Sequence, residues 1–366
     1  MKKITINENG LLKINLGFLG DNYKNLKKTL KKSRIGCVLK SDAYGLGLVE
    51  ITKKLIKIGC QDFFLTNLDE ALKVRKECRK SNIILLNGLI NLKQSEIKKV
   101  FQNKIITTIN SLDELKKFNE SSKNLSIKPK ITLHFDTGIN RLGIDEQEIT
   151  PVIEYCKKFR IKVFCVMSHF ASADEKLNSF NNKQNLKFKK IIKHFPNAIH
   201  SIANSQAIIN LNKIEYNLVR TGGCVFGTIE SKPFKSVVEL YARILQIKLI
   251  DNSKKSYGYN QTFQSKQKKK IAIVAFGYAD GYPRVLSNIS YVYFKKKLPI
   301  IGSISMDYII IDISELNESE IKVGDFVELI GNNILLSFIA KKSKTIPYEI
   351  LNNIGNRAKK IYIDNV

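Results

Sequence analysis

The six cysteines of this 366-residue chain (Cys37, Cys60, Cys78, Cys156, Cys165 and Cys224) form no C-x-x-C pair. That spacing argues against a disulfide framework and against a zinc site, and no other metal site is expected. Five of them lie inside apolar stretches, where a reduced, buried thiol is expected. No apolar run approaches the roughly 20 residues needed to cross a bilayer. The opening MKKITINENG has two lysines with no apolar stretch behind them, so no secretion signal is read there. The expected location is the cytoplasm, with no membrane partner. Acidic residues are scarce: 33 Asp and Glu face 61 Lys and Arg, a net charge of +28. Such an excess raises the question of nucleic acid. The lysines, however, are spread along the whole chain on apparent solvated helix faces, with no DNA- or RNA-binding pattern beside them. They read as a basic surface in a lysine- and asparagine-rich composition of the kind a genome bias produces. No nucleic-acid partner is expected. Internal repeats and low-complexity tails are also missing.

The length exceeds one ordinary domain but suits a large barrel with a smaller companion, and 43% hydrophobic residues are enough for a sizeable core. Eight short apolar runs occur at residues 35–40, 62–67, 82–88, 104–110, 130–136, 161–169, 198–204 and 216–223. Most are separated by segments with helical spacing, such as LDEALKVRKECRK (68–80) and TPVIEYCKKF (150–159), capped by Ser, Thr, Asn or Asp. Eight strand–helix units match a (β/α)8 barrel, with an open doubly wound sheet as the alternative that spacing leaves open. After residue 235, strand-like runs dominate (237–250, 270–278, 291–314, 325–331), with short helical pieces near 338–344 and 347–355. The expected fold is α/β: an N-terminal TIM barrel over residues 10–235 and a mainly β C-terminal domain over 236–366, with which residues 1–9 are able to pair.

Barrel chemistry gathers where the strands end at their C-terminal face. Those ends hold Lys40, Asp42 and Tyr44; Asp136 and Arg141; Ser168 and His169; Asn204 and Ser205; and Arg220, Gly222 and Gly223. A lysine, two arginines, a histidine and serine or glycine backbone sites suit an anionic, phosphate-bearing cofactor and an amino-acid carboxylate. A lysine in a desolvated mouth with cationic neighbours has a lowered pKa and forms a Schiff base readily. Taken alone, Lys40 reads equally well as a surface lysine ending a strand.

The segment VLKSDAYGLG around Lys40 closely resembles the cofactor-attachment signature of alanine racemases, pyridoxal-phosphate enzymes of fold type III. The resemblance implies that Lys40 carries pyridoxal 5'-phosphate and that Tyr44 contacts its phosphate. Further segments are similar to that family in the same order. HFDTGINRLG implies Arg141 as a holder of the substrate carboxylate, and MSHFASADE brings His169. HSIANS implies Ser205 at the phosphate. VRTGGCVFG implies Arg220 at the pyridine nitrogen, with the Gly222 and Gly223 amides at the phosphate. In the second domain, KSYGYNQTF implies Tyr257 as a second catalytic base, and FGYADGYPR resembles an entrance motif. SMDYIIIDIS implies that the Met306 amide meets the substrate carboxylate, and PYEIL implies Tyr348 at the phosphate. His194 and His200 lie outside these assignments and read as structural.

The resemblance covers nearly the whole chain. It implies an isomerase that interconverts L- and D-alanine for peptidoglycan by a two-base mechanism, Lys40 on one face of the substrate and Tyr257 on the other, with His169 and Arg220 tuning the site. It also implies a homodimer with shared active sites, Tyr257 and Met306 reaching the partner's barrel mouth. An arginine at the pyridine nitrogen disfavours its protonation, which suits return of a proton over transamination. A broad-specificity or serine racemase on the same scaffold is the nearest alternative. A basic amino-acid decarboxylase is further away, because such enzymes place a glutamate where Arg220 stands. The chain departs from the family pattern at Leu46, Thr221, Phe226, Ser305 and Pro347. It also carries His134 where many members have a carboxylated lysine.

Overall fold

The computed structural model describes residues 8–123, 125, 129–211, 214–250, 255–355 and 357–364. Its first strand, β1 (Gly10–Asn15), belongs to the later domain's sheet. The next eight are β2 (Arg34–Val38), β3 (Asp62–Leu65), β4 (Asn82–Leu85), β5 (Ile106–Ile109), β6 (Ile131–His134), β7 (Val163–Met167), β8 (Ile199–Ser201) and β9 (Leu218–Thr221). They pair in parallel in the order β9-β2-β3-β4-β5-β6-β7-β8. The Arg220 N–H on β9 donates to the Ala203 carbonyl just beyond β8 at 3.0 Å, bringing the two ends of the ladder together. The expected barrel is therefore present, nearly closed. The open doubly wound sheet is excluded, because its outer strands do not meet.

Burial explains the apolar runs. Strands β3, β5, β6 and β9 are buried at every residue, as parallel strands covered on both faces must be. Phe64, Ile84, Ile106, Cys165, Met167 and Leu218 pack into one cluster from five different strands. Several helices restart after a loop on capping side chains: Asn67 for Leu68–Glu77, Ser111 for Leu112–Ser121 and Asn204 for Ser205–Asn210. All six cysteines are free and buried. The His200 ring lies 2.9 Å from the Phe195 carbonyl, a structural contact as expected. This unit comprises residues 20–43 and 48–225.

The second unit comprises residues 226 onward together with 44–47 and the chain up to Leu19. Its strands are β10 (Val238–Ile250), β11 (Lys255–Tyr257), β12 (Phe263–Ser265), β13 (Lys269–Val274), β14 (Tyr291–Phe294), β15 (Lys296–Pro299), β16 (Ile309–Asp312), β17 (Phe326–Ile330) and β18 (Lys359–Ile363). The main sheet runs β15-β14-β17-β10-β1-β18, with β13 on the far half of β10 and β16 on β13. In the first half of β10, Val238, Leu240, Ala242 and Ile244 alternate inward, the period-2 pattern of a strand with one buried face. The short helical pieces are Leu336–Lys342 and Pro347–Asn353. Sequence patterning leaves residues 10–15 with the barrel segment. Instead, β1 pairs antiparallel with β10, Leu12 opposite Leu240, and parallel with β18. The expectation that residues 1–9 pair with this domain falls outside the described residues for 1–7. The Asn9 carbonyl accepts the Arg243 N–H at 2.8 Å.

Candidate active site

Strand β2 delivers Lys40 one residue beyond Leu39, whose N–H extends the ladder to the Phe64 carbonyl at 3.0 Å. From Lys40 the backbone coils left-handedly: Ser41 (φ 56°, ψ 54°), Asp42 (54°, 45°), Ala43 (55°, 50°) and then Tyr44 (φ 58°). Residues with a Cβ lose roughly 1–2 kcal/mol each in this hand. Four in a row are a strained feature of the kind that collects at functional sites. Three hydrogen bonds hold the turn. Ala43 N–H donates to the Leu39 carbonyl at 2.9 Å, Asp42 N–H to Glu70 Oε1 at 3.0 Å, and Leu48 N–H to Asp42 Oδ1 at 2.8 Å. The Lys40 side chain opens to solvent, but the barrel rim strips part of its hydration. That desolvation, then the Arg141 guanidinium, lowers its pKa, with Glu70 opposing.

On the next side of the mouth, β6 ends in His134. Asp136 Oδ1 accepts the N–H groups of Gly138 (2.7 Å) and Ile139 (3.0 Å), shaping the loop that carries Arg141. Arg141 is exposed and makes no hydrogen bond or ion pair among the described residues, so its guanidinium is available to an anion. His134 is tied from behind. Asn110 directs its amide nitrogen to the Leu86 carbonyl and Glu114 Oε2, both 3.4 Å, leaving Oδ1 toward His134 Nδ1 at 2.9 Å. Nδ1 is therefore the protonated nitrogen and Nε2 a lone-pair acceptor. Burial, then Arg220 and Arg141, push the His134 pKa down to about 3.

Strand β9 places Arg220, fully inside the barrel end. Its guanidinium donates to the Ser201 carbonyl (2.9 Å), Ser201 Oγ (2.7 Å), the Ser168 carbonyl (2.5 Å) and His169 Nδ1 (3.2 Å). No carboxylate is among these partners. Burial brings its pKa down to about 10, which leaves it a cation and a donor only. His169 Nδ1 faces that donor, and its Nε2 lies 3.4 Å from the Asn204 amide nitrogen. Burial first, then Arg220 and Arg141, lower the His169 pKa to about 3.

Both imidazoles are thus neutral in the folded chain down to about pH 3, whereas an unfolded histidine binds a proton near pH 6.5. Between those values the unfolded state holds more protons. Stability should be fully present above about pH 6.5 and lost as the pH falls toward 3, each histidine contributing on the order of 3 kcal/mol by pH 4. Denaturant midpoints measured from about pH 7 to pH 4 check this. His134→Gln should flatten the decline by about one proton's worth of slope, and an unaltered slope would contradict the assignment.

Beyond β9 lies a hydroxyl cradle. Ser205 Oγ accepts the Gly223 N–H at 3.0 Å and meets Thr221 Oγ1 at 3.0 Å, while Cys224 N–H donates to Thr221 Oγ1 at 3.3 Å. When Thr221 donates to Ser205, the Ser205 proton is left to point at an anion. Thr221, which departs from the family's proline, thereby joins the site. Gly222 sits between Thr221 and Gly223 in this turn. The donor set of the mouth (Lys40, Arg141, Arg220, Ser205 and backbone amides, with both imidazoles uncharged) fits an anionic cofactor and an anionic substrate.

The remaining sequence-derived residues lie in the β unit. Tyr44 is buried, its ring edge-on to Phe226 at 5.3 Å and tilted against Tyr348 at 5.5 Å. Burial, then Tyr348, raise its pKa. Tyr257 packs on Ile271 and Ile301 with its ring edge-on to Phe263 at 5.6 Å, and is only 4% exposed. Its pKa is raised by desolvation, with Lys269 pulling the other way. Met306 is 52% exposed. Tyr278 N–H and Ala279 N–H donate to the carbonyls of Ser305 (3.1 Å) and Met306 (3.0 Å). Gly277 fits there only because a Cβ would strike the Met306 carbonyl. Arg357 clasps Asp280 (3.3 Å) and Asp307 (2.8 Å), joining the two loops.

Sequence reasoning did not single out Glu70, Asn110 or Glu114. The only signals were the cap spacings Asn67-x-x-Glu70 and Ser111-x-x-Glu114.

A family model described as the alanine racemase N-terminal domain matches residues 14–230, and one for the alanine racemase C-terminal domain matches residues 237–362. The chain belongs to the alanine racemase family. Within that family, alanine racemase from Rickettsia bellii is 36% identical over 340 residues, 91% of this chain and 82% of that protein. The enzyme of Rickettsia canadensis is 35% identical over 354 residues, 96% of this chain and 98% of that one. The crystal structure of alanine racemase from Bartonella henselae with covalently bound pyridoxal phosphate matches with a TM-score of 0.90 at 33% identity, covering 97% of this chain and 99% of that one. Barrel and β domain are the family's fold.

Proposed function

We propose that this chain is a pyridoxal-phosphate-dependent racemase that interconverts L- and D-alanine, supplying D-alanine for peptidoglycan. Arg220 carries the reading. It is a buried, donor-only cation with no carboxylate among its partners, where a basic amino-acid decarboxylase on this scaffold would need a glutamate. When bound, the cofactor supplies an electron-withdrawing ring that acidifies the substrate Cα–H. Lys40 Nζ moves the proton on one face, helped by its lowered pKa. Tyr257 moves it on the other, with Lys269 countering the desolvation that raises its pKa. Arg141 and the Met306 amide hold the substrate carboxylate. Ser205, the amides of Gly222 and Gly223, Tyr44 and Tyr348 hold the phosphate.

The proposal includes a cytoplasmic homodimer in which Tyr257 and Met306 complete the partner's site. It is supported by large apolar side chains left exposed in adjoining loops, Tyr278, Met306 and Tyr308. Among the described residues, no helix is long and apolar enough to cross a membrane. In this reading alanine is favoured over serine or larger substrates, since Tyr348 would narrow the pocket.

The test is a chiral amino-acid panel on the purified chain with pyridoxal phosphate. L-Alanine should reach an equal mixture of enantiomers, faster than serine, lysine or arginine does. Release of carbon dioxide, or faster turnover of serine, would sink the reading in favour of its alternatives.

His134 adds a second expectation. A carboxylated lysine would present a negative charge to Arg141, whereas His134 offers a neutral Nε2 lone pair. Turnover in carbon-dioxide-stripped buffer should not change when bicarbonate is added at fixed chloride and pH. A several-fold rise would contradict it.

A further inference from the structure

Of the contacts that hold the left-handed turn, one comes from a charged side chain on another element. Glu70 lies in the first turn of Leu68–Glu77, its own N–H held by Asn67 Oδ1 at 2.9 Å, so its carboxylate springs from a fixed backbone. A carboxylate here also meets the positive end of the helix dipole. The residue is 9% exposed. Its Oε1 accepts the Asp42 N–H at 3.0 Å, whereas Oε2 is buried with no hydrogen-bond partner.

An ordinary helix-capping glutamate explains neither feature. Its side chain would turn back to its own cap, but this one reaches the turn behind β2. A buried acceptor without a partner is costly, and the cap alone does not account for holding it there. Three groups face Lys40: Arg141 from the loop after β6, the neutral His169 after β7, and Glu70 from the helix after β3. Glu70 is the acidic one of the three.

We propose that Glu70 is a positioning residue for Lys40: its Oε1 pins the strained turn that starts at Lys40, and its carboxylate sets a negative charge on the side of the mouth that bears on the Lys40 ammonium. The proposal rests on the reading of Lys40 as the cofactor-bearing lysine. Four consecutive left-handed residues are strained, and a hydrogen bond to a charged acceptor offsets part of that strain, so Glu70 helps to keep the lysine aimed. The charge sets when that lysine loses its proton. Arg141 and desolvation lower the Lys40 pKa and Glu70 opposes them, so removing the carboxylate lowers it further.

Protein stripped of cofactor is mixed with pyridoxal phosphate across a pH series, and attachment is followed by visible absorbance. Glu70→Gln keeps an acceptor for the Asp42 N–H but not the charge. Its affinity should stay within about threefold of the parent while the midpoint of the attachment rate moves to lower pH. Glu70→Leu loses both, and affinity should fall by about tenfold or more. Rescue of affinity, but not of the pH midpoint, by glutamine is the signature that a purely structural cap would not give. A Glu70→Gln profile that superimposes on the parent overturns the charge role, and it is decisive even if Glu70→Leu does not fold. Parent-like affinity in Glu70→Leu overturns the anchoring role. A borohydride label found away from Lys40 overturns the underlying reading instead.

Discussion

Lys40→Ala protein should stay colourless when mixed with pyridoxal phosphate and should racemise alanine roughly a thousandfold or more slowly. The expectation rests on the position of Lys40 at the end of β2, in a mouth that lowers its pKa and beside the free Arg141. Borohydride reduction of the parent, followed by peptide mapping, should put the label on Lys40. Loss of the lysine removes both the attachment point and the proton carrier on one face, so no other lysine should substitute. Tyr257→Phe should fail differently. Proton removal from L-alanine should suffer most, while Lys40 continues to serve D-alanine. Mixing the two inactive chains then tests the shared site. Random exchange makes half the dimers mixed, each with one of two sites intact, so about a quarter of the parent activity should return. No recovery after verified exchange would count against a partner-supplied Tyr257.

The eight barrel strands were legible because a parallel strand buried on both faces is a short, unbroken apolar run, and several are followed by a capping residue. That pattern also singled out residues at strand ends before any contact was known. Lys40, Arg141 and Arg220 lie close enough at the barrel's end for their charges to bear on the neutral His169. What was not legible is long-range or conformational. Leu12 pairs with Leu240 across most of the chain, and no local period reports such a partner. Ser41, Asp42, Ala43 and Tyr44 contain no glycine to betray a left-handed turn. The spacing of Asn67 and Glu70 announces a cap, but it does not say where the carboxylate points. Thr221 read as a departure from a proline. Only the fold puts its hydroxyl 3.0 Å from Ser205.

Arg220→Met should combine a modest loss of stability with a large loss of racemisation. The side chain donates to the carbonyls of Ser168 and Ser201, to Ser201 Oγ and to His169 Nδ1. Without it these buried acceptors lose their donor, at about 1–3 kcal/mol each. Against that, the variant no longer buries a guanidinium, which relieves several kcal/mol of desolvation. The second effect offsets part of the first, leaving a net destabilisation of about 2–4 kcal/mol. The chemical effect has no such offset. His169 loses the donor at its Nδ1 and the cation that, after burial, does most to hold its pKa down. A cofactor ring held beside this position would also lose the positive charge that discourages its protonation. Racemisation should fall on the order of a hundredfold or more, and the His169 pKa should rise toward the ordinary range, visible in imidazole NMR titration. Arg220→Lys keeps the charge but cannot reach both β7 and β8 at once, so it should recover stability only in part. An Arg220→Met protein that binds cofactor and racemises at the parent rate would remove Arg220 from the mechanism, and with it the main ground for preferring racemisation over decarboxylation.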